Sequence, residues 1–224
     1  ASSRSRRTAR TPTGARRKST CVMTAAPSDS AVLAAAVFCG AYGISDPSGL
    51  AYIPSLGRML VADSEHDETP FLSPTNLFSL GLNGSYVSNY SLNSFTKEPT
   101  GLGYDAVNGF LYIADDDKHA VSWVSPTNPI VQLGVFDTLH LGFMDTEDLK
   151  IDPLTGHIHI LDGILKQMIE LTDQGEFVDS VPLPAIMKDA EALAYDPVHD
   201  LYFVASGASK TSISGSRVLR ITFV

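Results

Sequence analysis

Asp145 to Asp162 reads DTEDLKIDPLTGHIHILD, and Asp189 to Ser206 reads DAEALAYDPVHDLYFVAS. Each opens on an acid, places a Glu two residues later, turns at Asp-Pro and climbs back through a β-branched or aromatic run. Two further copies begin at Asp46 (DPSGLAYIPSLGRMLVAD) and Glu98 (EPTGLGYDAVNGFLYIAD), and all four align over eighteen positions without a gap. Leu50, Leu102, Leu149 and Leu193 coincide, as do Tyr52, Tyr104, Ile151 and Tyr195, and the closing Asp63, Asp115, Asp162 and Ser206. Within a copy, an alternating run meets a turn of Pro, Gly, Asn or Asp and is followed by a second apolar run, the pattern of a two-stranded hairpin. A second hairpin follows in three copies, turning at Asn83-Gly84 in the first and near Asp173 to Gly175 in the third. The units lie 52, 47 and 44 residues apart, enough for four strands each, which is one blade of a propeller. No segment sustains a helical period. The expected fold is therefore all-β, a β-propeller of four-stranded blades with four repeats visible, standing alone or as part of a six-bladed ring.

After Ser206 only Arg217 to Val224 remains as a strand, which leaves the last blade one strand short. Closure from the other terminus would remove the exposed edge, and Ala31 to Ser45, immediately before the first repeat, is the expected donor. The apolar part of that stretch, Ala31 to Tyr42, is too short to span a bilayer and reads alternatively as the core of a signal peptide. Residues 1–28 are Arg/Ser/Thr-rich without apolar period and are expected to be a disordered basic extension or targeting remnant, with the propeller domain at 29–224.

With 224 residues, 44% of them apolar, the chain can bury one substantial core. Its formal charge of -9 hides a division: seven of the sixteen basic residues precede position 19 and no acid precedes Asp29. The rest of the chain carries nine basic residues against twenty-five acids, a net charge of -16. Such a body repels a phosphate backbone and attracts cations, so no nucleic acid is expected as partner. The expectation is a secreted or cell-surface monomer without a transmembrane segment, recognising a protein or small-molecule ligand. Cys21 and Cys39, both N-terminal, support neither a disulfide framework nor a zinc site.

Because successive strands of a blade run antiparallel, the start of strand one, the end of strand two and the loop after it share a rim. Fourteen of the twenty-five acids fall there. The closing Asp63, Asp115 and Asp162 are expected to accept backbone N–H bonds, and Asp105, Asp152 and Asp196 belong to hairpin turns on the opposite rim. Glu147 and Glu191 differ, since Ser48 and Thr100 hold the same position in the other copies and the fold does not demand an acid there. They open the innermost strands of adjacent blades, where paired carboxylates need a cation, a proton or a base. One reading is a calcium site formed by Glu147 and Glu191 with Asp115, Asp162 and Asp189; a hydrogen-bonded structural pair is equally admissible, and an acid/base pair is the third. The loop Ala62 to Asn76 overhangs this rim. His66 and His119 are candidate general bases, but no G-x-S-x-G motif specifies a nucleophile. His157 and His159 alternate on a strand as core or rim residues.

The motifs DPSGLAY, EPTGLGYD and DAEALAYDP resemble strand one of NHL-type six-bladed propellers. The Asp-x-Glu-x-Leu form at Asp145 to Leu149 and Asp189 to Leu193 is similar to the SdiA-regulated and esterase-like phytase propellers. The resemblance covers about Ile44 to Val224 and implies a propeller, a fold that hosts binding modules, lactonases and phosphatases. Calcium-dependent lactonases of the gluconolactonase type hold their metal on acids at the inner strand starts, which implies that role for Glu147 and Glu191. A calcium-associated binding module is the first expectation, and a metal-dependent esterase, lactonase or phosphatase working at the same mouth is the alternative.

Overall fold

The structure is a computed structural model that describes residues 19–21, 38–69, 71–187, 190–206 and 217–223. It is an all-β, four-bladed propeller of four antiparallel four-stranded sheets. In chain order, β1 (Ser19–Cys21) belongs to the last blade. Blade one is β2 (Pro47–Ile53), β3 (Arg58–Asp63), β4 (Leu77–Gly81) and β5 (Tyr86–Tyr90). Blade two is β6 (Pro99–Asp105), β7 (Phe110–Asp115), β8 (Ala120–Ser125) and β9 (Asn128–Asp137). Blade three is β10 (Thr146–Ile151), β11 (Ile158–Asp162), β12 (Gln167–Leu171) and β13 (Phe177–Pro182). Blade four is β14 (Ala190–Asp196), β15 (Leu201–Ser206) and β16 (Arg217–Phe223), with β1 outermost. Among the described residues the helical content is two 3-10 turns, Cys39–Tyr42 and Leu139–Leu141.

The fourfold register of the sequence is the register of the sheets: Leu50 pairs with Val61, Leu102 with Ile113, Leu149 with Ile160 and Leu193 with Val204. Each first hairpin turns through a positive φ at the same place, met by Gly57, Gly109 and Gly156 in three blades and by Asp200 in the fourth. Glycine reaches that left-handed conformation without steric cost, whereas Asp adopts it only with some strain. The second hairpins also turn where the sequence indicated, through Gly84 and Gly175, both at positive φ.

The closing strand corrects an expectation. Ser19, Thr20 and Cys21 pair antiparallel with Phe223, Thr222 and Ile221, so the closing residues lie within the basic extension and not in Ala31 to Ser45. Of the expected donor, residues 31–37 lie outside the described residues, and Cys39–Tyr42 coils into a 3-10 turn ended by Gly43 at φ 81, which no extended strand accommodates. That segment instead packs Ile44, Cys39 and Tyr42 on Val61, Phe78 and Leu80, covering the outer part of blade one.

Neighbouring inner strands pack face to face, β2 on β6, β6 on β10 and β10 on β14. Three apolar clusters fill the interblade gaps: Ile53, Leu60 and Leu102 between blades one and two, Tyr112, Leu149 and Ile160 between two and three, and Leu161, Leu193 and Tyr202 between three and four. The inner strands of all four blades line an axial cavity of about 330 Å³, bounded among others by Leu50, Tyr52, Tyr104, Ile151 and Tyr195. Four residues the sequence treats as equivalent diverge: Leu102, Leu149 and Leu193 are at most 3% exposed, whereas Leu50 is 54% exposed, and among the described residues no strand packs on β2 towards blade four as closely as β2 packs on β6.

Small residues permit the close approach of the inner strands. A Cβ on Gly101 would stand 2.6 Å from Cα of Asp148 and 2.8 Å from N of Leu149, both backbone atoms that cannot swing aside. Gly101→Ala should therefore push blades two and three apart at a cost of about 1–3 kcal/mol. Thermal unfolding should show a melting temperature several degrees lower; an unchanged value would mean that the gap between these blades is slack.

Candidate functional site

The acid rim begins with a backbone irregularity. In blade three Thr146 pairs with Asp162 and Asp148 with Leu161, so Glu147 is an extra residue, a β-bulge. Glu191 occupies the same bulge in blade four, between Ala190, paired with Ser206, and Ala192, paired with Ala205. In blades one and two the shift falls at Ser48-Gly49 and Thr100-Gly101. A bulge frees its side chain from the alternation of the ladder and re-aims it. In the first two blades the freed side chain ties neighbours together: Ser48 Oγ donates to the carbonyl of Pro99 at 3.0 Å, and Thr100 Oγ1 to that of Thr146 at 2.6 Å. Glu147, half-buried at the next step of this series, instead meets other acids.

Burial, the nearby charges of Asp145 and Asp116, a hydrogen bond to Asp145 and the charge of Glu191 push the Glu147 carboxyl up to about 8. Asp145 is raised to about 6, first by burial and then by Asp116. One blade earlier Glu98 is raised to about 8 by burial, by a hydrogen bond with Asp117 and by the charges of Asp117, Asp116 and Asp115. Asp116 links the two groups and fixes the strand start, accepting the N–H of Thr146 at 3.0 Å. Among the described residues, no ion pair reaches Glu98, Asp145 or Glu147. Glu98, Asp145 and Glu147 thus form, across blades two and three, an arc of carboxyl groups without a neutralising cation among the described residues, and protons are what keep it from repelling itself.

Of the five residues proposed from sequence for a metal, Glu147 and Glu191 are brought within electrostatic reach of each other. Asp162 is fully buried and committed to the backbone, accepting N–H bonds from Met144 at 2.9 Å and Leu165 at 2.7 Å. Asp115 accepts the Lys118 N–H at 2.9 Å through Oδ1, while its buried Oδ2 has no partner. Asp189 lies outside the described residues. The third closing acid, Asp63, accepts the N–H groups of Ser45 and Asp46, both at 2.8 Å. Asp105, Asp152 and Asp196 lie in hairpin turns as expected, and each accepts an N–H of its own turn. His66 is fully buried, and His119 sits at φ 49 in the turn after Asp115.

Asp145 and Asp116 were part of the sequence-level rim but not of the proposed ligand set, and Asp148 with Lys150 was missed. Asp148 is a buried carboxylate 2.8 Å from the Lys150 ammonium, and its Oδ2 accepts the N–H of Leu193 in blade four at 2.9 Å. Lys150 also donates to the carbonyl of Leu102 in blade two at 3.1 Å. The signal was present: Gly49, Gly101 and Ala192 align with Asp148, and Ala51, Gly103 and Ala194 with Lys150, so this blade alone puts charge at two positions that are elsewhere small.

The oxygen-only donor set of Glu147, Asp145, Asp116 and Glu191 suits a hard cation in kind. It is not drawn into a closed cage: among the described residues no three His, Cys, Asp or Glu side chains converge as metal ligands do. No helix among them is long and apolar enough to cross a membrane.

No family model and no curated protein matches the sequence. Solved structures do resemble the fold. A luciferin-regenerating enzyme superposes with a TM-score of 0.57 at 18% identity, over 77% of this chain and 60% of that one. XC5397 of Xanthomonas campestris, described as a gluconolactonase important in glucose secondary metabolic pathways, gives 0.57 at 12% identity, over 80% and 57%. A chain of a nidogen/laminin complex gives 0.56 at 14%, over 77% and 64%. The likeness is one of fold. The chain spans about three fifths of the length of these proteins. Enzymes and a protein-binding assembly stand side by side among them, so the site and not the superposition must argue function.

Proposed function

We propose that the protein is a secreted or cell-surface propeller of the NHL and SdiA-regulated kind, a monomeric binding module whose acidic axial rim takes up calcium. The observation that carries this reading is the arc of Glu98, Asp116, Asp145 and Glu147, reaching towards Glu191, in which burial and mutual repulsion raise three carboxyls, and among the described residues no ion pair reaches those three. Calcium would be held by Glu147 and Glu191 with Asp145 and Asp116. When bound, it supplies charge neutralisation and an electrophilic centre for a ligand oxygen. The chain's own part is positional. The bulges turn Glu147 and Glu191 out of the ladder, Asp116 fixes the start of β10 through the Thr146 N–H, and Asp162 clamps both ends of the blade-three crossover through Met144 and Leu165.

A ligand that binds only the folded state stabilises it by about 2.7 kcal/mol at a hundred times its Kd. For a chain of this size that is a rise in melting temperature of roughly 5–10 °C. Calcium should produce such a rise in the parent and none in the Glu147→Gln, Glu191→Gln double variant. Equal responses in both would place any ion elsewhere. The second reading, hydrolysis of a lactone or ester at the same mouth, draws on the fold shared with a gluconolactonase. Calcium-dependent turnover of a simple lactone, lost in the double variant, would establish it in place of the first.

A further inference from the structure

A second cavity, of about 190 Å³, opens between blades three and four on the rim opposite the acid arc. At roughly 30 Å³ per water it has room for about six heavy atoms. One wall is aromatic. The rings of Tyr195 and Tyr202 lie 4.5 Å apart at 23°, and His159 lies 5.1 Å from Tyr202 at 14° and 5.6 Å from Tyr195 at 23°, so three nearly parallel rings form a single panel. Facing it are four carboxylates, Asp152, Glu170, Asp179 and Asp200, with Met168 and Val181 completing the lining.

Asp152 is satisfied by its own turn, from Leu154 N–H and the Thr155 hydroxyl, but the other three carboxylates are acceptors in want of donors. Glu170 Oε1 pairs with His157 at 2.6 Å, Asp179 Oδ1 takes the Ser180 N–H, and Asp200 Oδ1 takes the Tyr195 hydroxyl at 3.3 Å. The second oxygen of each has no donor among the described residues. His159 is only 5% exposed; among the described residues its Nδ1 has no partner, and its Nε2 has the Tyr202 hydroxyl at 3.5 Å. Burial holds this imidazole below its ordinary pKa and so neutral, which leaves Nδ1 as an acceptor when Nε2 carries the proton. Asp200 stands where the three other blades have glycine at the left-handed turn position, at φ 51. The local backbone prefers glycine there, so the carboxylate is kept against a conformational cost.

We propose that this cavity binds a small organic cation bearing a primary ammonium group, such as a short-chain diamine. The ammonium donates to His159 Nδ1 and to the free oxygens of Glu170 and Asp200, and its alkyl chain lies along the Tyr195–Tyr202 panel, where ring faces attract positive charge. An anion is repelled by four carboxylates. A hard metal ion gains nothing from the aromatic wall, whereas the ring faces and the neutral imidazole both suit an organic ammonium.

Calorimetric titration of the full chain with 1,4-diaminobutane tests the site. One binding event per chain is expected, retained when Glu147 and Glu191 are both changed to Gln and weakened tenfold or more in Asp200→Gly. That variant gives the turn the residue its three counterparts carry, so its melting temperature should match or exceed the parent's and the loss cannot be ascribed to unfolding. His159→Phe keeps a ring in the panel and should lose affinity to a similar degree. Absence of binding, or equal affinity in the parent and in both Asp200→Gly and His159→Phe, overturns the proposal, the latter assigning the heat to general attraction by the acidic body. Loss only in the Glu147, Glu191 double variant also overturns it, by moving the amine to the axial rim, and calcium binding at that rim is scored separately.

Discussion

Asp148→Ala should cost about 3–5 kcal/mol, the range for stranding one partner of a buried ion pair, and should lower the melting temperature by on the order of 10 °C. The carboxylate does three things at the junction of blades two, three and four. It pairs with Lys150, accepts the Leu193 N–H across the blade gap and accepts the N–H of Leu149 at 2.8 Å. Its removal leaves Lys150 with only the Leu102 carbonyl and opens an unsatisfied N–H on β14. Burial nonetheless raises the Asp148 pKa despite the ammonium beside it, which shows that desolvation outweighs the attraction. The pair is therefore an expensive fastening, and the double variant Asp148→Ala, Lys150→Met should recover more than half of the loss. Equilibrium unfolding in denaturant decides it: a double variant no better than the single would show that the Leu193 bond, and not the stranded charge, carries the effect.

Without calcium, the protein should become markedly less stable as pH rises from about 4.5 to about 8. The folded-state carboxyls of Glu98 and Glu147 lie near 8 and that of Asp145 near 6, above their ordinary values of 4.5 and 3.8. In that window the folded chain retains protons that the unfolded chain has released. Stability therefore falls with rising pH until the folded groups ionise, and levels off beyond. His159 works in the opposite sense below about 6.5, since its buried imidazole must stay neutral while the unfolded one charges. Below that pH three carboxyls outnumber one imidazole, and above it Glu98 and Glu147 act unopposed, so the net fall runs across the whole window. Melting temperatures at pH 5.5 and 8 should differ by several degrees in the parent, and by much less in a Glu98→Gln, Glu147→Gln variant. A flat profile in the parent would remove the basis for treating the arc as uncompensated charge.

The fold was legible because the repeat fixes register and not only composition. Leu149 opposite Ile160, and the three equivalent pairs, follow directly from the gapless alignment. The closing strand was not legible: Ser19, Thr20 and Cys21 sit in an Arg-rich run without apolar period, and strand pairing through the backbone leaves no mark there that a side-chain pattern would show. Likewise Leu50 looks identical to Leu102 in the alignment, and their burial, 54% against 0% exposed, is what distinguishes them. At the rim, Glu147 and Glu191 were identifiable as departures from Ser48 and Thr100. The same comparison applied one residue later would have yielded Asp148, and applied to the turn glycines would have yielded Asp200. What no alignment of repeats conveys is the packing of His159 on Tyr195 and Tyr202, which joins three strands of two blades.

The bulges at the inner strand starts make those four positions a set of interchangeable pegs around a common hub. A residue exchanged there leaves the ladder on either side untouched, because the extra residue of a bulge is not part of the pairing. Hydroxyls at Ser48 and Thr100 clip one blade to the next, while carboxyls at Glu147 and Glu191 spend the same location on charge. A designer could therefore redistribute charge around the hub peg by peg, giving up one interblade clip for each acid added and leaving the strand register intact.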